Sequence, residues 1–293
     1  MTENKYYTEI MSLTDCDDIK RIVNNWSNFS ENKPNTPQYS PIVLPDMLWV
    51  AKSGVGTTKL LRLISEYLSS EKIMDFYGDV KYFEFNFEHF SGSSPYGPIE
   101  KFSDALLNAA GFRSDYRGIV CINISEWIDH FENKYFLRFL EYLSENSTDW
   151  HIVFLVNSID DKKLNKLEAI LGMYFRIDKA VFKYPDTEAF CDYIEKRLMN
   201  YGFSISDSAK TILSDTIDEL RKSDYFDGYK TISMICSDLI YREFSSENFN
   251  GYTITDKSVE YYSKTSEFVK QTKYNIEKRN KIGFVLGEDG DNE

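Results

Sequence analysis

The sequence predicts an α/β fold, in which a mostly parallel five-stranded sheet carries helices on both faces and is followed by a smaller all-helical domain. Two observations lead to this fold class. Up to about residue 186, short apolar runs alternate with segments of helical period, and several runs are apolar throughout, as expected for strands covered on both faces. After residue 186 the strand patterns end and helical periods continue.

The individual elements follow from the same patterns. An amphipathic helix at 18–29 leads into a connector rich in Pro, Asn and Ser. Apolar runs predict strands at 47–50, 81–87, 119–124, 152–156 and 180–182, and helices beginning at 57, 99, 135 and 163 lie between them. Helices at 187–201, 207–220, 229–244 and 255–279 follow. We therefore divide the chain into an N-terminal helix and connector at 1–39, an α/β domain at 40–186, a helical domain at 187–284 and an acidic, disordered tail at 285–293.

Composition limits the range of functions. The 293 residues carry a formal net charge of −13 at pH 7, which disfavours broad binding to nucleic acid or anionic membranes, because both are polyanions. One basic helix at 265–281 is compatible with nucleic acid, with an acidic partner or with a plain solvated helix face. The amino terminus has no leader pattern and no segment is apolar over about 18 residues, so we expect a soluble, cytoplasmic protein that does not enter membranes.

The cysteine and histidine residues do not predict a metal site. The 4 Cys lie far apart without a Cys-x-x-Cys pair, and only 3 His accompany them. We therefore expect no zinc, and we interpret the Cys side chains as buried thiols in a reducing compartment.

A glycine-containing loop between the first strand of the sheet and the following helix is the most informative motif. Phosphate-binding loops need glycines so that backbone N–H groups can surround the phosphates, a Lys for the outer phosphates and a Ser or Thr hydroxyl for Mg²⁺. Gly56 and Thr58 match this pattern, and Gly54 adds a further glycine. Ala51 replaces the first Gly and Thr57 replaces the Lys; an ordinary strand-to-helix turn is the alternative interpretation. The predicted nucleotide-binding segment comprises Lys52, Ser53, Gly54, Val55, Gly56, Thr57, Thr58 and Lys59.

Replacement of the Lys removes a charge-assisted phosphate contact worth on the order of 1.5–3 kcal/mol, together with a group that stabilises transition-state charge. Two nearby cations are candidates to replace it. Lys52 lies within the loop and fits either a phosphate contact or a surface position. Lys59 lies on the first helical turn and also fits a plain surface role.

From Ser40 to Lys264 the chain resembles the AAA+ ATPase family, in particular its clamp-loader and origin-recognition modules. The segment PIVLPDMLWVAKSGVGTTKLLRLISEYL is similar to the first strand, Walker A loop and following helix of that family. The resemblance implies ATP or ADP as the ligand, Mg²⁺ held through Thr58, and a protein partner that is a second copy or another AAA+ subunit. It also implies that the helical domain is a lid.

The resemblance locates a second motif, an apolar strand that ends in Asp-Glu, arranges Mg²⁺ and activates water. In the corresponding segment, GIVCINISE, Asn123 takes the place of the Asp and Ile124 that of the Glu. Asn can still hydrogen-bond a hydrated ion, but Ile cannot deprotonate water. Glu126 lies two residues further on and is the candidate for that catalytic role, with an exposed helix-start residue as the alternative.

Further residues acquire roles through the same resemblance. Asn157 corresponds to the residue that senses the outer phosphate, and Lys230 to the second sensor, which is usually Arg. Arg176 corresponds to the arginine finger that reaches a neighbouring subunit's nucleotide. A turn residue and a helix-end salt bridge are the alternatives for Asn157 and Arg176. Tyr96 and Gly97, in a Ser-Pro-Tyr-Gly segment, resemble the aromatic-Gly loop that lines the pore of ring-forming members, and a plain turn is the alternative.

Three functional hypotheses follow. The leading one is a degenerate AAA+ module that binds ATP or ADP, hydrolyses it poorly or not at all, and acts through assembly with itself or with a partner ATPase. The second is an active Mg²⁺-dependent ATPase that uses displaced residues, Lys52 or Lys59 for phosphate and Glu126 for water. The third is an interaction scaffold that does not depend on nucleotide.

Overall fold

The computed structural model describes residues 4–14, 16–32, 44–76, 80–88, 96–111, 116–147, 149–157, 159–245 and 251–282, with side chains up to residue 276. The predicted tail at 285–293, most of the predicted connector, and Ser94 and Pro95 before Tyr96 lie outside these residues. The chain forms two compact units, Met1–Tyr184 and Pro185–Glu293. Within the described ranges, none of the helices is long and apolar enough to span a bilayer.

Five strands form the sheet of the first unit, and every pairing between them is parallel. All five carboxyl ends therefore lie at the same edge of the sheet. This arrangement confirms the predicted fold class and the number of strands. In the spatial order β2-β3-β4-β1-β5, the strands are β1 (Asp46–Val50), β2 (Tyr82–Asn86), β3 (Gly118–Asn123), β4 (Trp150–Val156) and β5 (Ile177–Val181).

Helices precede the sheet and connect its strands. A short 3₁₀ turn, Ser125–Trp127, follows β3 and is not predicted from the sequence. The helices of the first unit are α1 (Lys5–Met11), α2 (Asp17–Asn32), α3 (Thr57–Ser70), α4 (Gly97–Ala109), α5 (Lys134–Asn146) and α6 (Asp161–Leu171).

Both faces of the sheet are covered. Alternate residues of β1 point to opposite faces, so Leu48 and Val50 belong to one buried cluster and Met47 and Trp49 to another. The first cluster joins the sheet to α4, α5 and α6, and the second joins it to α2 and α3. Burial on both faces explains why the strand runs are apolar throughout.

Hydrogen bonds fix both ends of β1 against β4. At its start, the carboxylate of Asp46 accepts the N–H of Ile152 at 2.7 Å. Just beyond its end, the N–H of Ala51 donates to the carbonyl of Val156 at 2.9 Å. The chain therefore leaves β1 in a fixed position at the edge where the strands end.

The N-terminal helix α1 packs along α3. The Nδ2 of Asn4 donates to Ser70 Oγ at 2.8 Å, at the C-terminal end of α3. Near the start of α3, the Nζ of Lys59 pairs with Glu9 Oε1 at 3.1 Å. The two helices are therefore antiparallel, and α1 is attached to α3 at both ends.

The second unit is mainly helical, with two departures from the predicted pattern. The segments β6 (Ser204–Ile205) and β7 (Thr253–Ile254) form a short parallel pair. The single helix predicted at 255–279 is wrong, because Ser266 takes an extended backbone with ψ of 121° and separates two helices. The helices of this unit are α7 (Thr187–Asn200), α8 (Asp207–Leu220), α9 (Gly228–Phe244), α10 (Asp256–Thr265) and α11 (Glu267–Ile282).

Candidate functional site

A loop at 51–56 joins β1 to α3 at the carboxyl edge of the sheet. Gly54 has a φ of 80° and Gly56 a φ of 93°, both in the left-handed region. A Cβ atom is disfavoured in that region, so these positions favour glycine for a backbone reason. The two glycines on which the nucleotide-binding prediction depends therefore meet a conformational requirement of this loop.

The first turn of α3 begins directly at this loop. Gly56 is its N-cap residue, and no side chain caps the helix. The first N–H groups of a helix have no acceptor within the helix, and they lie at the positive end of the helix dipole. An uncapped N-terminus beside a glycine loop is a backbone arrangement suited to a phosphate group.

The lysines considered as replacements for the missing Lys have different surroundings. Lys52 is exposed, and its Nζ lies 5.4 Å from the ring centre of Tyr184, at the distance of a cation–π contact. Lys59 pairs with Glu9 of α1. Thr57 is half-buried at the first position of α3. Each of the two ammonium groups therefore has another partner, Lys59 in an ion pair and Lys52 in a cation–π contact.

A carboxylate that sequence reasoning missed lies beside Thr58. The hydroxyl of Thr58 donates to Glu84 Oε2 at 3.1 Å, and both residues are exposed. Glu84 lies in β2 between Phe83 and Phe85, which pack against the core. The sequence does show Glu84 as a single acidic residue within an aromatic strand. Its approach to a residue 26 positions away depends on the order of the strands, which the sequence pattern does not specify.

Asn123, at the end of β3, belongs to a polar network. Its Nδ2 donates to Asn86 Oδ1 at 3.2 Å, and its Oδ1 accepts the N–H and the hydroxyl of Ser125 at 3.1 and 2.6 Å. The hydroxyl of Ser125 accepts the N–H of Asn157 at 2.9 Å. Two predicted site residues, Asn123 and Asn157, are thus linked through Ser125 at the carboxyl edge of the sheet.

The residues after Asn123 have contrasting environments. Ile124 is completely buried and belongs to the core cluster that contains α4, α5 and α6. Glu126 is exposed in the 3₁₀ turn. At position 124 the chain therefore contributes core packing and no group able to accept a proton from water.

Arg176 lies at the opposite edge of the sheet from the glycine loop. It immediately precedes β5, whose first residue, Ile177, pairs with Asp46 at the start of β1. The 5 residues of β1 place this edge roughly 15 Å from Ala51, since a strand rises about 3.3 Å per residue. Arg176 is exposed, and none of the acidic side chains described in the structure pairs with it. Its guanidinium therefore does not reach the loop of its own chain.

Two other predicted residues are held by local contacts. Lys230, near the start of α9 in the second unit, has its Nζ 3.7 Å from Asp227 Oδ2. Tyr96 directly precedes Gly97, the first residue of α4, and its hydroxyl accepts a hydrogen bond from Arg138 of α5 at 2.8 Å. The guanidinium of Arg138 also lies 4.6 Å from the ring centre of Tyr96. Tyr96 is thus bound to α5, although 48% of it is exposed.

The oxygen donors beside the loop fit a magnesium ion that arrives with a nucleotide. Within the ranges described, there is no group of three His, Cys, Asp or Glu side chains able to hold a metal ion by itself. Mg²⁺ commonly uses one or two carboxylates together with substrate phosphates and water. The hydroxyl of Thr58 and the carboxylate of Glu84 are donors of the preferred kind.

Solved structures with a similar fold include three variants of RuvB from Thermotoga maritima. They match 85% of this chain and 68, 69 and 68% of their own chains, with TM-scores of 0.51, 0.51 and 0.52. Sequence identity is 12, 13 and 10%, so the likeness concerns the fold. RuvB is an AAA+ P-loop ATPase. No protein-family profile and no curated protein sequence matches the chain.

Proposed function

Since the chain has the fold of an AAA+ P-loop module, we propose that it binds ATP or ADP at the glycine loop, hydrolyses it poorly or not at all, and acts through assembly with itself or with another AAA+ subunit. The observation that carries this proposal is the loop backbone, in which Gly54 and Gly56 are left-handed and the uncapped α3 follows. Phosphate contacts from backbone N–H groups do not depend on the side chain at position 57.

The altered side chains favour a weak site. Loss of a Lys contact at Thr57 costs on the order of 1.5–3 kcal/mol of binding free energy, which lowers affinity but leaves the backbone contacts in place. Lys52 supplies one positive charge within the loop, and its contact with Tyr184 is of a kind worth about 0.5–1 kcal/mol at an exposed site. That contact is weak enough for Lys52 to leave when a phosphate group binds.

The altered second motif favours slow or absent hydrolysis. Asn123 is neutral, and its amide oxygen is already occupied by Ser125. Ile124 is buried where the family places the Glu that activates water. Without a positioned base, bound nucleotide serves as a ligand that stabilises one state of the protein.

An active ATPase with displaced residues is the second candidate. It depends on the exposed Glu126 as base and on Lys52 as the phosphate contact. Magnesium-dependent turnover that Lys52→Ala or Glu126→Gln abolishes would establish this candidate in place of the leading proposal.

The test of the proposal is a titration of the purified protein with ATP and ADP, with and without Mg²⁺, followed by calorimetry and thermal unfolding. A ligand that binds only the folded state adds about 2.7 kcal/mol of stability at 100 times its Kd. We expect saturable binding and a rise in Tm. Absence of binding at millimolar nucleotide would overturn the proposal and leave the nucleotide-independent scaffold in its place.

A matched pair of glycine variants locates the binding to the loop. Gly54 and Gly202 have the same φ of 80°, but Gly202 lies in the second unit, where an added Cβ meets open space. Gly54→Ala and Gly202→Ala therefore impose a similar backbone strain, of about 1–2 kcal/mol. We expect the first variant to weaken nucleotide binding and the second to leave it unchanged.

A further inference from the structure

The carboxylate of Glu84 forms a hydrogen bond with the first turn of α3, directly after the glycine loop. It accepts the hydroxyl hydrogen of Thr58 at 3.1 Å. A hydroxyl has one hydrogen to donate and two lone pairs. Because the hydrogen is directed to Glu84, the lone pairs of Thr58 remain directed elsewhere and can bind a cation.

The amide side chains nearby are not equivalent to this carboxylate. The oxygen of Asn123 accepts two hydrogen bonds from Ser125, and the oxygen of Asn86 accepts one from Asn123. Both amides are neutral, whereas Glu84 carries a charge. Among the described residues no Lys or Arg forms an ion pair with Glu84, so its charge is not neutralised by the protein there.

We infer that Glu84 supplies, from β2, the carboxylate that positions Mg²⁺ beside Thr58, in place of the acid that β3 lacks at Asn123. The inference rests on the proposed function and concerns which strand provides this group. The two strands are neighbours in the sheet, with Glu84 paired to Cys121 and Asn86 to Asn123. Glu84 lies two residues before the end of β2, and its side chain is longer than that of the Asp expected on the neighbouring strand β3.

The charge of Glu84 predicts opposite effects on nucleotide affinity with and without Mg²⁺. With Mg²⁺ present, the ion would attract both the carboxylate and the phosphates. Without Mg²⁺, the carboxylate and the phosphates are like charges and repel each other. Glu84 is therefore expected to strengthen nucleotide binding in Mg²⁺ and to weaken it in a chelator, whereas a residue that only supports the fold would change both affinities in the same direction.

The experiment measures the Kd for ATP in Mg²⁺ and in EDTA for the full chain and for Glu84→Gln, with Mn²⁺ binding followed by electron paramagnetic resonance as a second readout. Gln keeps an acceptor for Thr58 and removes the charge. We expect the Mg²⁺ enhancement of affinity to fall about tenfold in Glu84→Gln, with affinity in EDTA equal or tighter, and the bound Mn²⁺ signal to be lost. Glu88→Gln removes the same charge from an exposed position just beyond β2 and is expected to behave as wild type.

A rescue variant tests whether a carboxylate on β3 can replace Glu84. Adding Asn123→Asp to Glu84→Gln returns a carboxylate to β3 and is expected to restore most of the Mg²⁺ enhancement. Full Mg²⁺ enhancement in Glu84→Gln alone overturns the inference. ATP binding by the wild type that is equal in Mg²⁺ and EDTA also overturns it but leaves the proposed function standing, whereas no ATP binding at all overturns both.

Discussion

At the scale of single residues, His151 is the group whose burial has the clearest thermodynamic consequence. It lies in β4, is only 3% exposed, and packs edge-on against Trp26 with ring centres 5.6 Å apart. Neither ring nitrogen has a hydrogen-bond partner within the described part of the chain. Burial lowers the pKa of His151 to about 4, because the charged ring loses its solvation.

This pKa predicts that His151 destabilises the folded state in mild acid. An unfolded His protonates near pH 6.5, whereas folded His151 stays neutral down to about pH 4. At this position the unfolded state therefore binds more protons in this window, and His151 lowers the free energy of unfolding by about 2 kcal/mol between pH 7.5 and 5. Asp46, whose pKa burial raises to about 7, acts in the opposite direction, because its folded form takes up a proton in the same window.

Urea titrations at the two pH values test the assignment. We expect His151→Leu to lack the contribution of His151, so that its free energy of unfolding relative to wild type rises by about 2 kcal/mol between pH 7.5 and pH 5. His130→Gln, at an exposed position, is expected to follow wild type at both pH values. The same pH dependence in His151→Leu as in wild type would show that other groups cause it.

Single residues also show how far the site can be predicted from the sequence. Gly54 and Gly56 are predictable, because a left-handed loop backbone selects glycine locally. The contact of Glu84 with Thr58 and the ion pair of Lys59 with Glu9 are not, since they join segments that only the folded sheet and helices bring together. The sequence therefore predicts the positions that need a left-handed backbone in this loop but not the charges around it.

At the scale of elements, the glycine loop and the end of β3 contribute separately to the expected chemistry. Under the proposed function, binding of phosphate would depend on the loop and the start of α3, whereas activation of water would depend on the residues that end β3. Repair of one element should therefore not repair the other.

The variant Thr57→Lys tests this separation. We expect ATP to bind about tenfold or more tightly, because a charge-assisted contact returns, while hydrolysis stays at the level of wild type. The measurement is release of labelled phosphate beside a calorimetric titration. Appreciable turnover by Thr57→Lys would contradict the prediction and would mean that a base is already in place.

Each element that the sequence does not predict correctly has its own physical reason. The helix α1 spans only seven residues, which is too short for a helical period to be visible. Among the described strands, β5 lies at the edge of the sheet and pairs with β1 alone. Its first half contains the half-buried Asp178 and the exposed Lys179, so the apolar pattern that predicts a strand begins only at Ala180. The break at Ser266 leaves the helical period on either side nearly intact. Buried elements with complete patterns, such as β4 and α8, are predicted well.

At the scale of the whole molecule, the position of Arg176 makes assembly testable. In the proposed assembly, this exposed guanidinium, at the opposite edge of the sheet from the loop, would contact a nucleotide held by a neighbouring subunit and not one held by its own chain. Such a contact would make association depend on nucleotide binding.

We therefore expect ATP to increase the sedimentation coefficient of the wild-type protein and Arg176→Ala to abolish that increase without changing ATP affinity at low protein concentration. Arg117→Ala is the control, because its exposed guanidinium pairs with Asp149 at 3.4 Å within the same chain. A nucleotide-dependent increase that survives Arg176→Ala would remove this residue from the interface.

The attachment of α1 to both ends of α3 has a mechanical consequence. The 14 residues of α3 extend about 20 Å from the glycine loop to Ser70, where Asn4 is bound. If the two helices move together, a tilt of α3 by about 10° at the loop would displace its far end by about 3.5 Å. A fluorophore introduced at the exposed Lys5, which leaves Asn4 in place, would accordingly report a tilt of α3 that begins at the glycine loop.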